Sequence, residues 1–306
     1  MTELAKRSQI TLLDGGMGRE LKRMGAPFRQ PEWSALCLME APEFIQRAHE
    51  SFAAAGSDIL TTSNYAVVPF HIGDRRFADD GARLTALAGK LAQQVALPYG
   101  CKVAGSIPPL FGSYRPELFS AGQAPWLLKK IIDALVPYVD LWLAETVSSV
   151  DEAQAIAEAL SGSTIPFWIS YTLHEGDQSH DEIPRLRSGQ SVAEAVQSAI
   201  EFGASALLFN CSQPEVMSPA VAIAAEVIRQ QQADLQVGVY ANAFPTVAEN
   251  TLANSSLQNI RPELDPAVYL DFARTWSKLG ASIIGGCCGI GPEHIKMLHQ
   301  KLERNR

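Results

Sequence analysis

The chain lacks any long hydrophobic run. No stretch of about 18 apolar residues interrupts its 306 positions, so the sequence predicts no transmembrane helix. Its start, MTELAKRSQITLLDGG, has no uninterrupted apolar core of the kind a secretory signal carries, and the expected location is the cytoplasm. Positive charge is short as well. With 25 Lys and Arg against 33 Asp and Glu, the net charge of −8 argues against nucleic acid or an anionic membrane as partner. Cysteine is sparse: Cys37, Cys101, Cys211, Cys287 and Cys288 make an odd count of five, a poor disulfide framework. No phosphate-binding loop is present either. DGGMGRE at 14–20 lacks full dinucleotide spacing, and no P-loop Lys-Ser/Thr follows it, so it reads as a tight strand-to-helix turn.

What remains is a globular composition, 47% hydrophobic and 19% charged, with enough apolar residues for a sizeable core. Eight short β-type runs punctuate the chain, at 9–14, 57–63, 101–107, 139–146, 166–172, 206–211, 235–242 and 282–286. Stretches with apolar residues at helical spacing lie between and after them, at 42–56, 75–97, 125–138, 150–162, 191–203, 214–230, 266–280 and 291–305. Pro42 and Pro292 suit first helical positions, Gly56, Gly203 and Gly280 suit helix ends, and Asp151 and Ser191 suit N-caps. Eight β/α repeats without a compositional break predict one (β/α)8 TIM barrel domain over residues 1–306. The alternative is an open doubly wound sheet with one strand miscounted.

A barrel places chemistry at the C-terminal ends of its strands. There the chain carries DGGMGREL, TTSNY, GSIPP, ETVSSVDEA, FNCSQPE and IIGGCCG. Cys211 would then meet Cys287 and Cys288 on one rim. Three thiolates with an open fourth position suit a catalytic Zn2+. Adjacent strand residues point to opposite faces, so both Cys287 and Cys288 reach one ion only if the backbone leaves the strand there. Gly285, Gly286 and Gly289 are expected to supply the freedom for that turn. The alternative is a glycine turn with two incidental cysteines able to oxidise as a pair. Cys37 and Cys101 read as small buried hydrophobes.

Those rim motifs, with the GPEHI helix start at 291–295, resemble in order and over nearly the whole chain the homocysteine S-methyltransferase family. The resemblance implies that Cys211, Cys287 and Cys288 bind zinc, with the substrate's own sulfur in the fourth position. It implies that Asp14 and Glu145 hold the homocysteine ammonium. Left to themselves, Asp14 could stabilise the Gly15–Gly16 turn and Glu145 could cap the next helix. The implied reaction is methyl transfer from a sulfonium donor, S-methylmethionine or also S-adenosylmethionine, to homocysteine, giving methionine. Betaine or a selenocysteine acceptor, or non-catalytic zinc and homocysteine binding, are the alternatives. The chain departs from better-known members in GSIPPLFGSYRPELF (105–119), in YANAFP (240–245), which keeps Asn242, and in a charged stretch at 174–190.

His174, Asp177, His180, Asp181 and Glu182 in that stretch read as a solvated loop rather than a second metal site. His294 is expected to interact locally at its helix start. Phe28, Trp33, Tyr65, Phe111, Tyr114 and Trp126 fall in or near rim loops, where any could face a sulfonium by cation–π attraction. The expected partners are small molecules, homocysteine and a methyl donor. No additional arm or long tail suggests an assembly device, and a monomer is expected.

Overall fold

The computed structural model of the chain describes residues 10–175, 183–245 and 260–302. Its strands are β1 (Thr11–Leu12), β2 (Ile59–Thr61), β3 (Lys102–Ile107), β4 (Leu141–Val147), β5 (Phe167–Tyr171), β6 (Ala206–Asn210), β7 (Gln236–Tyr240) and β8 (Ala281–Ile284). Neighbours pair in parallel in the order β1-β8-β7-β6-β5-β4-β3-β2. The two ends of that order meet through a parallel bridge between Leu13 and Ile59. The Asp58 N–H donates to the Leu12 carbonyl at 2.8 Å, and the Leu12 N–H to Asp58 Oδ2 at 2.7 Å. The sheet is therefore the expected (β/α)8 barrel.

Parallel strands need long crossovers, and helices supply them. The expected ones are α3 (Pro42–Ala55), α5 (Asp74–Tyr99), α6 (Ala124–Leu135), α7 (Val150–Ala159), α8 (Val192–Glu201), α9 (Pro214–Gln231), α10 (Pro266–Leu279) and α11 (Pro292–Lys301). Three more, α1 (Met17–Arg23), α2 (Ser34–Glu40) and α4 (Pro69–Ile72), lie in the first two crossovers. They hold two turns or fewer, too few to show a 3.6-residue period. Ser191 caps α8 in a full capping box with Glu194. Asp151 does not cap α7: Ser149 does, accepting the Glu152 N–H at 3.2 Å. Either side chain could serve, and the helix starts at Val150, which leaves Asp151 in its first turn.

The strands are apolar on both faces because both are buried. Leu13, Ile59, Ala104, Leu141, Leu143, Trp168, Ala206, Leu208, Tyr240 and Ile283 fill the barrel interior. Leu60, Val103, Trp142, Ile169, Leu207 and Val239 belong to the larger core shared with the helices. Burying one such side chain contributes roughly 2 kcal/mol. A filled interior leaves the rim as the place for a site.

Candidate metal and substrate site

Two departures from regular strand bring the sulfurs together. Cys211, directly after β6, takes φ +52°, a left-handed backbone that turns its side chain off the strand path. After β8 the chain is held from both sides: the Cys287 N–H donates to Ala241 O at 2.9 Å and the Ala243 N–H to Cys288 O at 2.8 Å. Only Gly289 of the nearby glycines takes a left-handed turn, at φ +87°. Gly285 and Gly286 serve differently from expectation. A Cβ on Gly286 would lie 2.2 Å from Ile290 Cγ2, and one on Gly285 would lie 2.5 Å from Leu13 Cβ. They are glycines because the Leu13 and Ile290 side chains pack where a Cβ would sit.

The three Sγ atoms lie within 4.8 Å of one another. Cys211 and Cys287 Sγ are 2.9 Å apart, well beyond the roughly 2.05 Å of a disulfide, and all five cysteines are free. Hydrogen bonds from Cys211 and Cys287 hold the Cys288 thiol well below its ordinary value, against the cost of burial. Cys287 is pushed well above by its bonds to Cys211 and Cys288 and by burial. A cation bound between them would favour the thiolate form of all three. The outlying thiols behave otherwise. Cys37 donates to Ala41 O and Cys101 to Ser57 O, each at 3.2 Å, and burial pushes both to about 11.

Asp14 follows β1 and is buried. The Thr61 N–H donates to its Oδ2 at 2.8 Å and Thr61 Oγ1 to its Oδ1 at 3.0 Å, so it binds the next strand rather than the Gly15–Gly16 turn. Burial nonetheless raises it to about 7. Glu145 sits where the β4–β5 register shifts, between Ala144 and Val147. Its neighbour Thr146 takes φ +59°, an unfavourable state for a β-branched residue. Asn210 fixes that corner: its Oδ1 accepts the Thr146 N–H at 3.0 Å, and its Nδ2 donates to Thr146 Oγ1 at 2.9 Å. Glu145 does not cap α7. Ser106 Oγ donates to it, and burial raises it to about 8 despite that bond. Two desolvated carboxyl groups beside thiols make a pocket that favours a cation.

All five expected residues line one cavity, with Asp14, Glu145, Thr61, Cys211, Cys287 and Cys288 at its polar end. Phe28, Trp33, Tyr65, Tyr114, Tyr240 and Phe244 supply its aromatic wall. Phe111 packs edge-on to Phe119 and Trp126 to Phe77 instead. Arg19 also lines the cavity, its guanidinium 5.2 Å from the Phe244 ring centre. Sequence reasoning missed Thr61, Asn210, Arg19 and Phe244. Each lies inside a stretch already singled out, TTSNY, FNCSQPE, DGGMGREL and YANAFP, but nothing there marked its role.

His294 is not purely local: its Nδ1 accepts the Gly291 N–H at 3.2 Å, while Nε2 lies 3.0 Å from Leu264 O. Asp177, His180, Asp181 and Glu182 lie outside the described residues. The flanks of that loop are mixed: Ile183, Arg185 and Gly189 are exposed, whereas one charged pair is not. Leu173 bridges Leu186, and the Glu175 and Arg187 side chains are only 1% and 8% exposed. Their opposite charges pair, which makes burial tolerable.

A family model described as homocysteine S-methyltransferase matches residues 11–302. The homocysteine S-methyltransferase of Escherichia coli (strain K12) is 28% identical over 96% of this chain and 96% of its own length. Homocysteine S-methyltransferase 1 of Brassica oleracea var. italica is 27% identical over 98% and 96%. The selenocysteine methyltransferase of Astragalus bisulcatus is 24% identical over 98% and 94%. The crystal structure of the E. coli homocysteine methyltransferase MmuM in its metallated form superposes with a TM-score of 0.76. It is 25% identical and covers 97% of this chain and 98% of that one.

Proposed function

The chain belongs to the homocysteine S-methyltransferase family, and from that premise we propose that it moves a methyl group from S-methylmethionine, or secondarily S-adenosylmethionine, to L-homocysteine. The homocysteine sulfur, as thiolate, forms the new S–CH3 bond. The donor's S–CH3 bond breaks, and its electron pair stays on the donor sulfur. Methionine and a neutral thioether result.

One observation supports this reading above the rest: three sulfurs and two buried carboxyl groups meet on one cavity rim. Three cysteine sulfurs are a donor set suited to Zn2+, and Cys211, Cys287 and Cys288 would hold it. When bound, the ion favours the thiolate form of a thiol ligand and so supplies an activated nucleophile.

The chain's own residues do the rest. Asp14, oriented by Thr61, and Glu145, oriented by Ser106, accept hydrogen bonds from the substrate ammonium. Neither acts as a general base. Phe28, Trp33, Tyr65 and Phe244 keep water from the donor and face its sulfonium, a contact worth roughly 0.5–2 kcal/mol. The Asn210 clamp keeps the Glu145 corner in place.

The test joins metal analysis to a donor panel of S-methylmethionine, S-adenosylmethionine, betaine and methyltetrahydrofolate, each with homocysteine and with selenocysteine. One zinc per chain and fastest turnover with S-methylmethionine and homocysteine are expected. Tight homocysteine binding without turnover on any donor would make the protein a binder instead.

A further inference from the structure

Cys211 has a partner that neither of the other two sulfurs shares among the described hydrogen bonds. Tyr114 Oη donates to its Sγ at 2.9 Å. Tyr114 comes from the loop after β3, far from β6 in sequence, and its backbone is left-handed at φ +63°. A bulky residue holds that state only where its surroundings impose it.

Those surroundings form a ring of contacts. The Arg187 guanidinium lies 5.2 Å from the Tyr114 ring centre. Arg187 Nη2 is 3.4 Å from Glu175 Oε2, and both side chains are buried. The other Glu175 oxygen, Oε1, accepts the Gln213 N–H at 2.9 Å. Gln213 is two residues beyond Cys211, so the path returns to its start. The loops after β3, β5 and β6 are tied into one closed circuit around a single sulfur.

We propose that Tyr114 is a positioning residue for Cys211, braced from behind by the Arg187–Glu175 pair, and that its hydroxyl sets both the place and the donor strength of that sulfur. The proposal rests on the reading above that Cys211 is a metal ligand. A hydroxyl donating to a ligand sulfur fixes its direction and draws electron density from it, the two ways in which outer partners tune a metal centre. It also explains why the charged stretch at 174–190 is partly buried: its flanking residues brace Tyr114.

Tyr114→Phe keeps the ring under Arg187 and removes only the hydroxyl. The full-length variant should lose about tenfold in Zn2+ affinity by chelator competition, with an unchanged melting temperature. In the Co2+-substituted protein, the thiolate-to-metal absorption band should move to longer wavelength, because the sulfur has lost a hydrogen bond. Arg187→Lys should weaken Zn2+ binding in the wild-type background but not on top of Tyr114→Phe. Zn2+ affinity within twofold of wild type, an unmoved band, or equal losses from Arg187→Lys in both backgrounds would each overturn the proposal.

The metal-free protein gives an independent reading. Iodoacetamide should label Cys211 several-fold faster in Tyr114→Phe, because the hydroxyl no longer covers the sulfur, and equal rates would overturn the proposal. A wild-type protein that takes up no Zn2+ would sink the proposed function, while this labelling would still decide the role of Tyr114.

Discussion

Glu145 and Glu152 belong to the same β4–α7 unit, are both buried, and are both raised to about 8, chiefly by burial. Glu152 faces the packing: it sits by the Ser148 N–H and Ser149 Oγ, at 3.4 and 3.5 Å, in the first turn of its own helix. Glu145 faces the cavity, with Asp14 and three sulfurs around the same space. The cysteines divide in the same way, three on the cavity and two bonded to backbone carbonyls behind it. Burial and shifted acidity are therefore common to both regions. The difference lies in what each group faces, and the proposed chemistry rests on that difference.

The sharpest break between the regions should come from the sulfurs. Cys288→Ser is expected to reduce bound metal to background and methionine formation by about a thousandfold, since a three-sulfur site loses an ionised ligand. Cys37→Ala should keep both and cost about 1–2 kcal/mol in denaturant unfolding. Full metal and activity in Cys288→Ser would erase the contrast.

The two glutamates give the next effect. Glu145→Gln should raise the KM for homocysteine about 10- to 100-fold, the worth of one charge-assisted hydrogen bond. Glu152→Gln should leave KM alone and change only the melting temperature. Equal KM effects would mean that Glu145 is structural too.

pH sharpens the same distinction. Asp14 at about 7 and Glu145 at about 8 must be ionised to receive an ammonium, so homocysteine affinity should weaken as pH falls from about 8.5 to 6. The substrate thiol adds a dependence of the same sign, so calorimetric titration should show a shallower slope in Glu145→Gln, not a flat one. Stability runs the other way. An acid whose folded value is raised favours the neutral form, so its contribution is complete below about 4 and is lost as pH rises through 7 to 8. Glu145→Gln should remove its share of that loss from the ligand-free protein. The smallest effect is expected from Ser106→Ala, a few-fold rise in homocysteine KM that grows towards lower pH, because Glu145 loses the donor that favours its ionised form. A pH-independent change would assign Ser106 to packing.

Most strands were legible because parallel strands with two buried faces are written as apolar runs. The cavity's cysteines were legible once those runs fixed which rim they share, and the family resemblance singled out Asp14 and Glu145 on the same rim. Partnerships across loops were not. Tyr114 with Cys211, and Asn210 with Thr146, join residues far apart in sequence through left-handed backbone, which leaves no periodic trace. GGCCG was half legible. Glycines were needed, but Gly285 and Gly286 make room for the Leu13 and Ile290 side chains, and Gly289 alone of the three makes the left-handed turn.

Where β1 meets β2, two aspartates add side-chain acceptors to the backbone bond from Asp58 N–H to Leu12 O, as Asp140 does for the Val103 N–H between β3 and β4. Asp58 takes the Leu12 N–H, and Asp14 takes the Thr61 N–H. Strand pairing is short here, a single bridge between Leu13 and Ile59, and one of the carboxyl groups that reinforce it is the one proposed to hold the substrate. The proposed substrate contact and a strand-to-strand contact thus meet in one side chain. If homocysteine binds as proposed, its ammonium would favour ionised Asp14, a stronger acceptor for the Thr61 N–H. The Thr61 amide should therefore exchange more slowly with homocysteine bound than without it.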